Sequence, residues 1–121
     1  MNNPKQDQQN KRAIGGRQED LACRFLTQEG LTILERNYRV KIGEIDIIAR
    51  EGDVICFIEV KYRASKRYGG ASYAISTQKQ QKIRKVAQWY ISSHHLGSST
   101  FFRFDAVLIE GEEIRYIRNA W

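Results

Sequence analysis

Histidine and cysteine are scarce in this 121-residue chain, with two of each. The histidines, His94 and His95, are adjacent, so they lack the i, i+4 spacing that sets two metal-binding rings on one helix face. They end a helical pattern, where an imidazolium is favoured by the helix dipole, and they read as exposed caps. Histidine general-base chemistry is thereby disfavoured. Cys23 falls in a helical pattern and Cys56 in a strand pattern, both in apolar company. They read as small buried hydrophobes rather than a disulfide, and no further cysteine is present for a zinc cluster. No apolar run approaches the roughly 18 residues of a membrane span. The polar N-terminus carries no apolar signal region, so the expectation is a soluble, cytoplasmic protein. There is no internal repeat, no phosphate-cradling glycine loop and no Ser/His/Asp nucleophile arrangement.

Acidic residues are missing from a long stretch. The net charge is +6, and between Lys61 and Lys85 stand Lys61, Arg63, Lys66, Arg67, Lys79, Lys82, Arg84 and Lys85, with no acid until Asp105. A one-signed segment suits a polyanion. It equally describes a solvated loop followed by a solvated helix face, so charge alone leaves nucleic acid an even choice.

What the chain does have is concentrated between Gly43 and Lys61. The runs Gly-Glu-Ile-Asp-Ile-Ile-Ala-Arg and Val-Ile-Cys-Phe-Ile-Glu-Val-Lys flank a turn at Gly52 and Asp53, a β-hairpin pattern. Pairing Glu51 with Val54 sets Ile48 opposite Phe57, Asp46 opposite Glu59 and Glu44 opposite Lys61. Alternation then predicts Glu44, Asp46, Glu59 and Lys61 on one face, with Ile45, Ile47, Cys56, Ile58 and Val60 on the other. Facing carboxylates repel and give a sheet nothing. A shared divalent cation offsets that repulsion, since Mg²⁺ takes one or two carboxylates together with waters and phosphate oxygens. The bland alternative is a surface charge network with Lys61 paired to Glu44, worth only about 0–1 kcal/mol.

Asp46, then twelve residues, then Glu59-Val60-Lys61 resembles the PD-(D/E)xK nuclease pattern. With Glu19-Asp20-Leu21-Ala22, Gly43-Glu44-Ile45-Asp46, Phe57 to Arg63 and Arg103-Phe104-Asp105, the chain from about Gly15 to Trp121 is similar to the YraN family. These are small bacterial predicted endonucleases akin to archaeal Holliday-junction resolvases. The resemblance implies a restriction-endonuclease-like fold and a Mg²⁺ (or Mn²⁺) ion held by Asp46, Glu59 and the Val60 carbonyl. It implies Lys61 and Glu19 among the catalytic residues and Glu44 in support. It also implies a nucleic-acid partner, DNA with branches favoured, and a homodimer by analogy with the resolvases. Arg63, Lys66, Arg67, Lys79, Lys82 and Lys85 would then hold the phosphate backbone. A glutamine motif of other nuclease branches is not found. The competing functions are a nuclease-like module that grips nucleic acid without cutting it, and a protein partner in a DNA-processing complex.

The organisation expected is a disordered polar tail over 1–13 and a single domain over 14–121. The domain is an α/β sandwich on a mixed, largely antiparallel sheet of about five strands, with helices before strand 1 and after strand 3. The first helix spans Gly16 to about Glu29. On it, Glu19 reads equally as a first-turn residue favoured by the dipole and as an acid aimed at the sheet. Arg36, Arg39 and Lys41 read as solvated. Tyr62, Tyr68 and Tyr73, interleaved with basic residues, read mainly as cover for the core edge, with base stacking the lesser choice. The second helix, capped by Ser76 or Thr77, buries Ile83, Val86, Ala87 and Tyr90. Asp105 reads as structural, orienting an arginine such as Arg103.

Overall fold

A computed structural model describes residues 4–63 and 75–121, with side chains of the first helix from Gly16 onward. The order is α1 (Pro4–Gln28), β1 (Thr32–Val40), β2 (Gly43–Glu51), β3 (Val54–Arg63), α2 (Thr77–Ser93), β4 (Phe101–Glu110) and β5 (Glu113–Ile117). This is the helix, three strands, helix, two strands that the sequence predicts. The five strands form one sheet in chain order. The β3–β4 pair is parallel and the other neighbours are antiparallel. A parallel pair needs a long crossover, and α2 supplies it.

Each helix covers one face. Ala22 and Leu26 of α1 pack with Ile47, Ala49, Cys56, Ile58, Val107 and Ile109. Ile83, Val86, Ala87 and Tyr90 of α2 pack with Ile45, Ile48, Ile55 and Phe57 on the opposite face. The α2 stripe is the one its 3.6-residue periodicity predicts. Strands β3 and β4, covered on both sides, are the near-continuous apolar runs that such burial requires.

The element ends follow local chemistry. Leu31 N–H donates to Leu26 O at 3.0 Å and Gly30 N–H to Thr27 O at 3.1 Å, closing α1 in a Schellman motif. Gly30 adopts φ 99°, a backbone state that glycine takes without strain. Ser76 caps α2, its hydroxyl accepting from Lys79 N–H at 3.2 Å. Backward, α1 reaches Pro4 and so runs through most of the stretch expected as a disordered tail, 1–13. Proline fits a first helical turn, and the Gln, Lys and Arg that follow are good helix formers.

The hairpin register from Glu51↔Val54 to Ile47↔Ile58 is the one expected. The face assignment needs one correction: Ile45 packs on the α2 face, not with Ile47 on the α1 face. The strand turns over between those residues, and on β1 Asn37, between the partners of Ile47 and Ile45, adopts φ 52°.

Candidate active site

That turnover decides where Asp46 goes. The β2–β3 ladder stops at Ile47↔Ile58, one pair short of the expected Asp46–Glu59 pair. Instead, Val60 N–H donates to Asp46 Oδ2 at 2.8 Å. The Asp46 carboxylate therefore lies in the plane of the sheet, in the gap between β2 and β3, filling the place of a backbone acceptor. A residue in a strand projects its N–H and C=O to the same side. The Val60 carbonyl accordingly opens into this gap as well.

Glu59 sits beside it, 5% exposed, with Lys79 Nζ of α2 at 2.5 Å. Burial, then the nearby Glu59 charge, pushes the Asp46 carboxyl up to about 7, against the lowering effect of the Val60 N–H. Burial alone would pull Lys79 down, but Glu59, and behind it Asp46 and Glu44, hold it above an ordinary lysine. Lys61, two residues past Glu59 and half-buried, shares its face of β3 by alternation.

Glu19 reaches the site from α1 by way of β1. Asn37 Nδ2 donates to Glu19 Oε2 at 2.8 Å, and Arg36 lies 3.8 Å from the same oxygen. The Glu19 charge is also among those that raise Asp46. Glu44 is more peripheral: Arg39 Nη2 holds its Oε2 at 2.9 Å. Arg36, expected to be solvated, pairs with Asp20 at 2.7 Å, and Arg39 is likewise partnered.

Among the described residues, no three or more His, Cys, Asp and Glu side chains form a group able to hold a metal ion. Two carboxylates and a backbone carbonyl remain, and Mg²⁺ commonly binds through one or two carboxylates while keeping several waters. An acid pair in a partly closed gap, one member resisting ionisation, suits such an ion.

Of the residues expected to contact a phosphate backbone, Lys79 is engaged with Glu59. Lys82 and Lys85 are exposed on α2, and Arg63 is half-buried at the end of β3. Lys66, Arg67, Tyr68 and Tyr73 lie outside the described residues. The Lys79–Glu59 pair was missed by sequence reasoning, although a signal existed. Lys79, Ile83, Val86 and Tyr90 are spaced i, i+4, i+7, i+11, so this lysine continues the inward stripe of α2 toward β3. Asn37 gave a weaker one, a residue type depleted in strands and enriched in left-handed backbone.

Asp105 has the structural role expected. Fully buried, it accepts from Arg103 Nε at 2.8 Å, from Asn119 N–H at 2.8 Å and from the Tyr116 hydroxyl. Arg103 and Arg118 both reach Glu51, at 2.8 Å each. The Arg118 and Arg103 guanidiniums hold Glu51 down at about 2. This network ties β4, β5 and the chain end to the hairpin tip. It leaves Cys56 a buried thiol pushed up to about 11 by burial first and then by Asp105.

The architecture and the in-plane aspartate define an α/β protein built around a buried acidic pair at a sheet irregularity. Residues 18–109 match the uncharacterised protein family UPF0102. A UPF0102 protein of Nitrosomonas europaea is 47% identical over 110 residues, 88% of this chain and 92% of the relative. One from Lachnoclostridium phytofermentans is 45% identical over 112 residues, 93% of this chain and 95% of the relative. One from Aliivibrio fischeri is 43% identical over 115 residues, 93% and 94% respectively. The chain belongs to UPF0102, which is the YraN family. No helix among the described residues is long and apolar enough to cross a membrane.

Proposed function

We propose that this protein is a Mg²⁺- or Mn²⁺-dependent endonuclease that hydrolyses phosphodiester bonds in nucleic acid, with branched DNA the favoured substrate. The observation that carries this reading is the Asp46 carboxylate, aimed along the sheet at Val60 beside buried Glu59. Asp46, Glu59 and the Val60 carbonyl would hold the ion. When bound, the ion supplies charge neutralisation at the phosphate and a lowered pKa for water. Lys61 positions the attacking water or stabilises charge developing on the phosphate oxygens. Glu19 acts from the far side of Asp46, and Glu44 supports through its hold on Arg39. Lys79 neutralises Glu59 when no divalent ion is present, and its displacement frees an ammonium for the substrate phosphate. Lys82, Lys85 and Arg63 hold the backbone without reading sequence.

The Lys79–Glu59 pair also favours a second reading. A carboxylate already neutralised by an ammonium needs no metal, as suits a module that binds nucleic acid without cutting it, alone or in a DNA-processing complex. One experiment separates the two. Flapped, branched, duplex and single-stranded substrates are incubated with Mg²⁺, Mn²⁺ or EDTA, with wild type, Asp46→Asn and Lys61→Ala in parallel. Metal-dependent cutting by wild type alone supports the nuclease. Retained binding with no cutting by any protein supports the module. Equal cutting by wild type and Asp46→Asn rejects this site.

A further inference from the structure

On the exposed side of α2, Trp89 is 60% exposed. Single exposed apolar residues are ordinary, but this indole has particular company. Lys82, Lys85 and Trp89 are spaced i, i+3, i+7, which sets all three within about 60° of arc on the helix surface. Helix α2 contains Lys79, Lys82, Arg84 and Lys85 and no acidic residue. Arg84 is on the other flank, its guanidinium 4.6 Å from the Phe104 ring centre of β4. The Lys82–Lys85–Trp89 stripe therefore faces away from β4. It begins one turn beyond Lys79, whose ammonium touches Glu59. From Lys79 to Trp89 the helix rises about 15 Å, room for roughly four stacked nucleotides.

We propose that this stripe binds a single-stranded arm of nucleic acid, with an unpaired base stacked on Trp89 and the adjoining phosphates on Lys82 and Lys85. Cations spaced along a backbone track beside an open aromatic face are the components by which proteins hold unpaired strands. A base in a duplex presents no free face to a side chain, so Trp89 selects for an open strand. A second copy of this chain is a poor occupant, because its α2 would bring the same positive charges into contact. This inference rests on the nuclease site only for its direction. The strand would leave the Glu59 end of α2 and run toward Trp89, making the preferred substrate one with an unpaired arm next to the cut.

The test is binding by full-length protein in the Asp46→Asn background with EDTA, so that no cutting intervenes. Labelled oligo-dT, oligo-rU and a duplex are titrated against the parent, Trp89→Phe, Trp89→Ala and Lys82→Gln/Lys85→Gln. Trp89→Ala should weaken single-strand binding about 5- to 150-fold, the range that stacking of one base supplies. Duplex binding should change less than about twofold, and Trp89→Phe should keep most of the single-strand affinity. Indole emission should be quenched by the oligonucleotide in the parent, and that part of the quench should vanish in Trp89→Phe. The double lysine variant should lower the salt slope of single-strand binding by about 1.4. Comparison of dT with rU tells which sugar is accepted. Unchanged single-strand binding in Trp89→Ala, an equal loss on duplex, or a shift in sedimentation showing that Trp89 joins two copies would each overturn the proposal. Absence of cleavage by wild type would count against the nuclease reading alone.

Discussion

Replacing Asp46 by asparagine should raise stability at pH 8 while abolishing cleavage. The wild-type carboxyl titrates near 7 rather than 3.8, because burial and the Glu59 charge oppose its ionisation. A folded-state pKa above the unfolded value means that the folded protein holds the proton more tightly. This group's contribution is therefore fully present below about pH 3.8, and it is lost as pH rises through about 7. At 1.36 kcal/mol per tenfold in equilibrium, that loss is about 4 kcal/mol by pH 8. Asparagine escapes the charge but keeps the desolvation of an amide, so about half should be recovered, ~2 kcal/mol. Its Oδ1 can still accept from Val60 N–H. For a domain of this size, ~2 kcal/mol is a rise in Tm of roughly 8 °C. The assay is thermal unfolding by circular dichroism in EDTA at pH 5 and pH 8. The variant should lead by ~2 kcal/mol at pH 8 and fall level with wild type or slightly behind it at pH 5, because about 2.7 kcal/mol of the wild-type loss develops between those two pH values. Adding Mg²⁺ at pH 8 should raise the wild-type Tm and leave the variant unmoved. A variant less stable than wild type at pH 8 without metal would refute the claim that a strained, ionised Asp46 occupies the gap.

Lys61→Ala should lower turnover about 100-fold or more while substrate affinity stays within about threefold, read from single-turnover cleavage and anisotropy. Lys79→Ala leaves Glu59 buried without its ammonium. It should cost about 1–3 kcal/mol in urea unfolding with EDTA, discounted because the lysine is half exposed, and saturating Mg²⁺ should restore part of it. Asp105→Ala strips Arg103, Tyr116 and Asn119 N–H of a shared acceptor and should cost about 3 kcal/mol or more. Its cleavage rate per folded molecule should hold, measured below the lowered melting range.

Much of this molecule is legible in the sequence because two periodicities are clean. Strand alternation and the Gly52 turn set the hairpin register through Ile47↔Ile58, and the helical spacing of Ile83, Val86, Ala87 and Tyr90 marks the buried face of α2. Alternation failed where the chain departs from a regular strand. Ile45 and Ile47 belong on one face only if the residue between them keeps the pleat, and Asp46 does not. Its partner irregularity on β1, the left-handed Asn37, carries only a weak local signature: asparagine is enriched at positive φ and depleted in strands, but one residue type does not say where a strand turns over. The fate of each arginine was hidden for another reason. Pairing of Arg36 with Asp20, and of Arg118 with Glu51, joins residues far apart in the chain, and composition cannot distinguish a paired guanidinium from a solvated one.

The failed pairing says more about the site than a successful one would have. Had Asp46 and Glu59 faced each other across a regular ladder, both carboxylates would stand on the α2 face, and the ladder would have consumed the Val60 N–H and carbonyl. Breaking the ladder one pair early frees those backbone groups and gives Asp46 the N–H, which anchors it without neutralising it. The cost is an acid that resists ionisation, offset on the Glu59 side by Lys79. A divalent ion relieves both conditions at once, since it favours ionised Asp46 and removes the need for the ammonium. Its affinity should therefore climb steeply between pH 6 and 8, and Lys79→Ala should tighten metal binding at pH 8 by removing a competitor for Glu59. Isothermal titration with Mn²⁺ measures both. Affinity that is flat with pH, or weakened by loss of Lys79, would mean that the ammonium supports the ion rather than standing in its place.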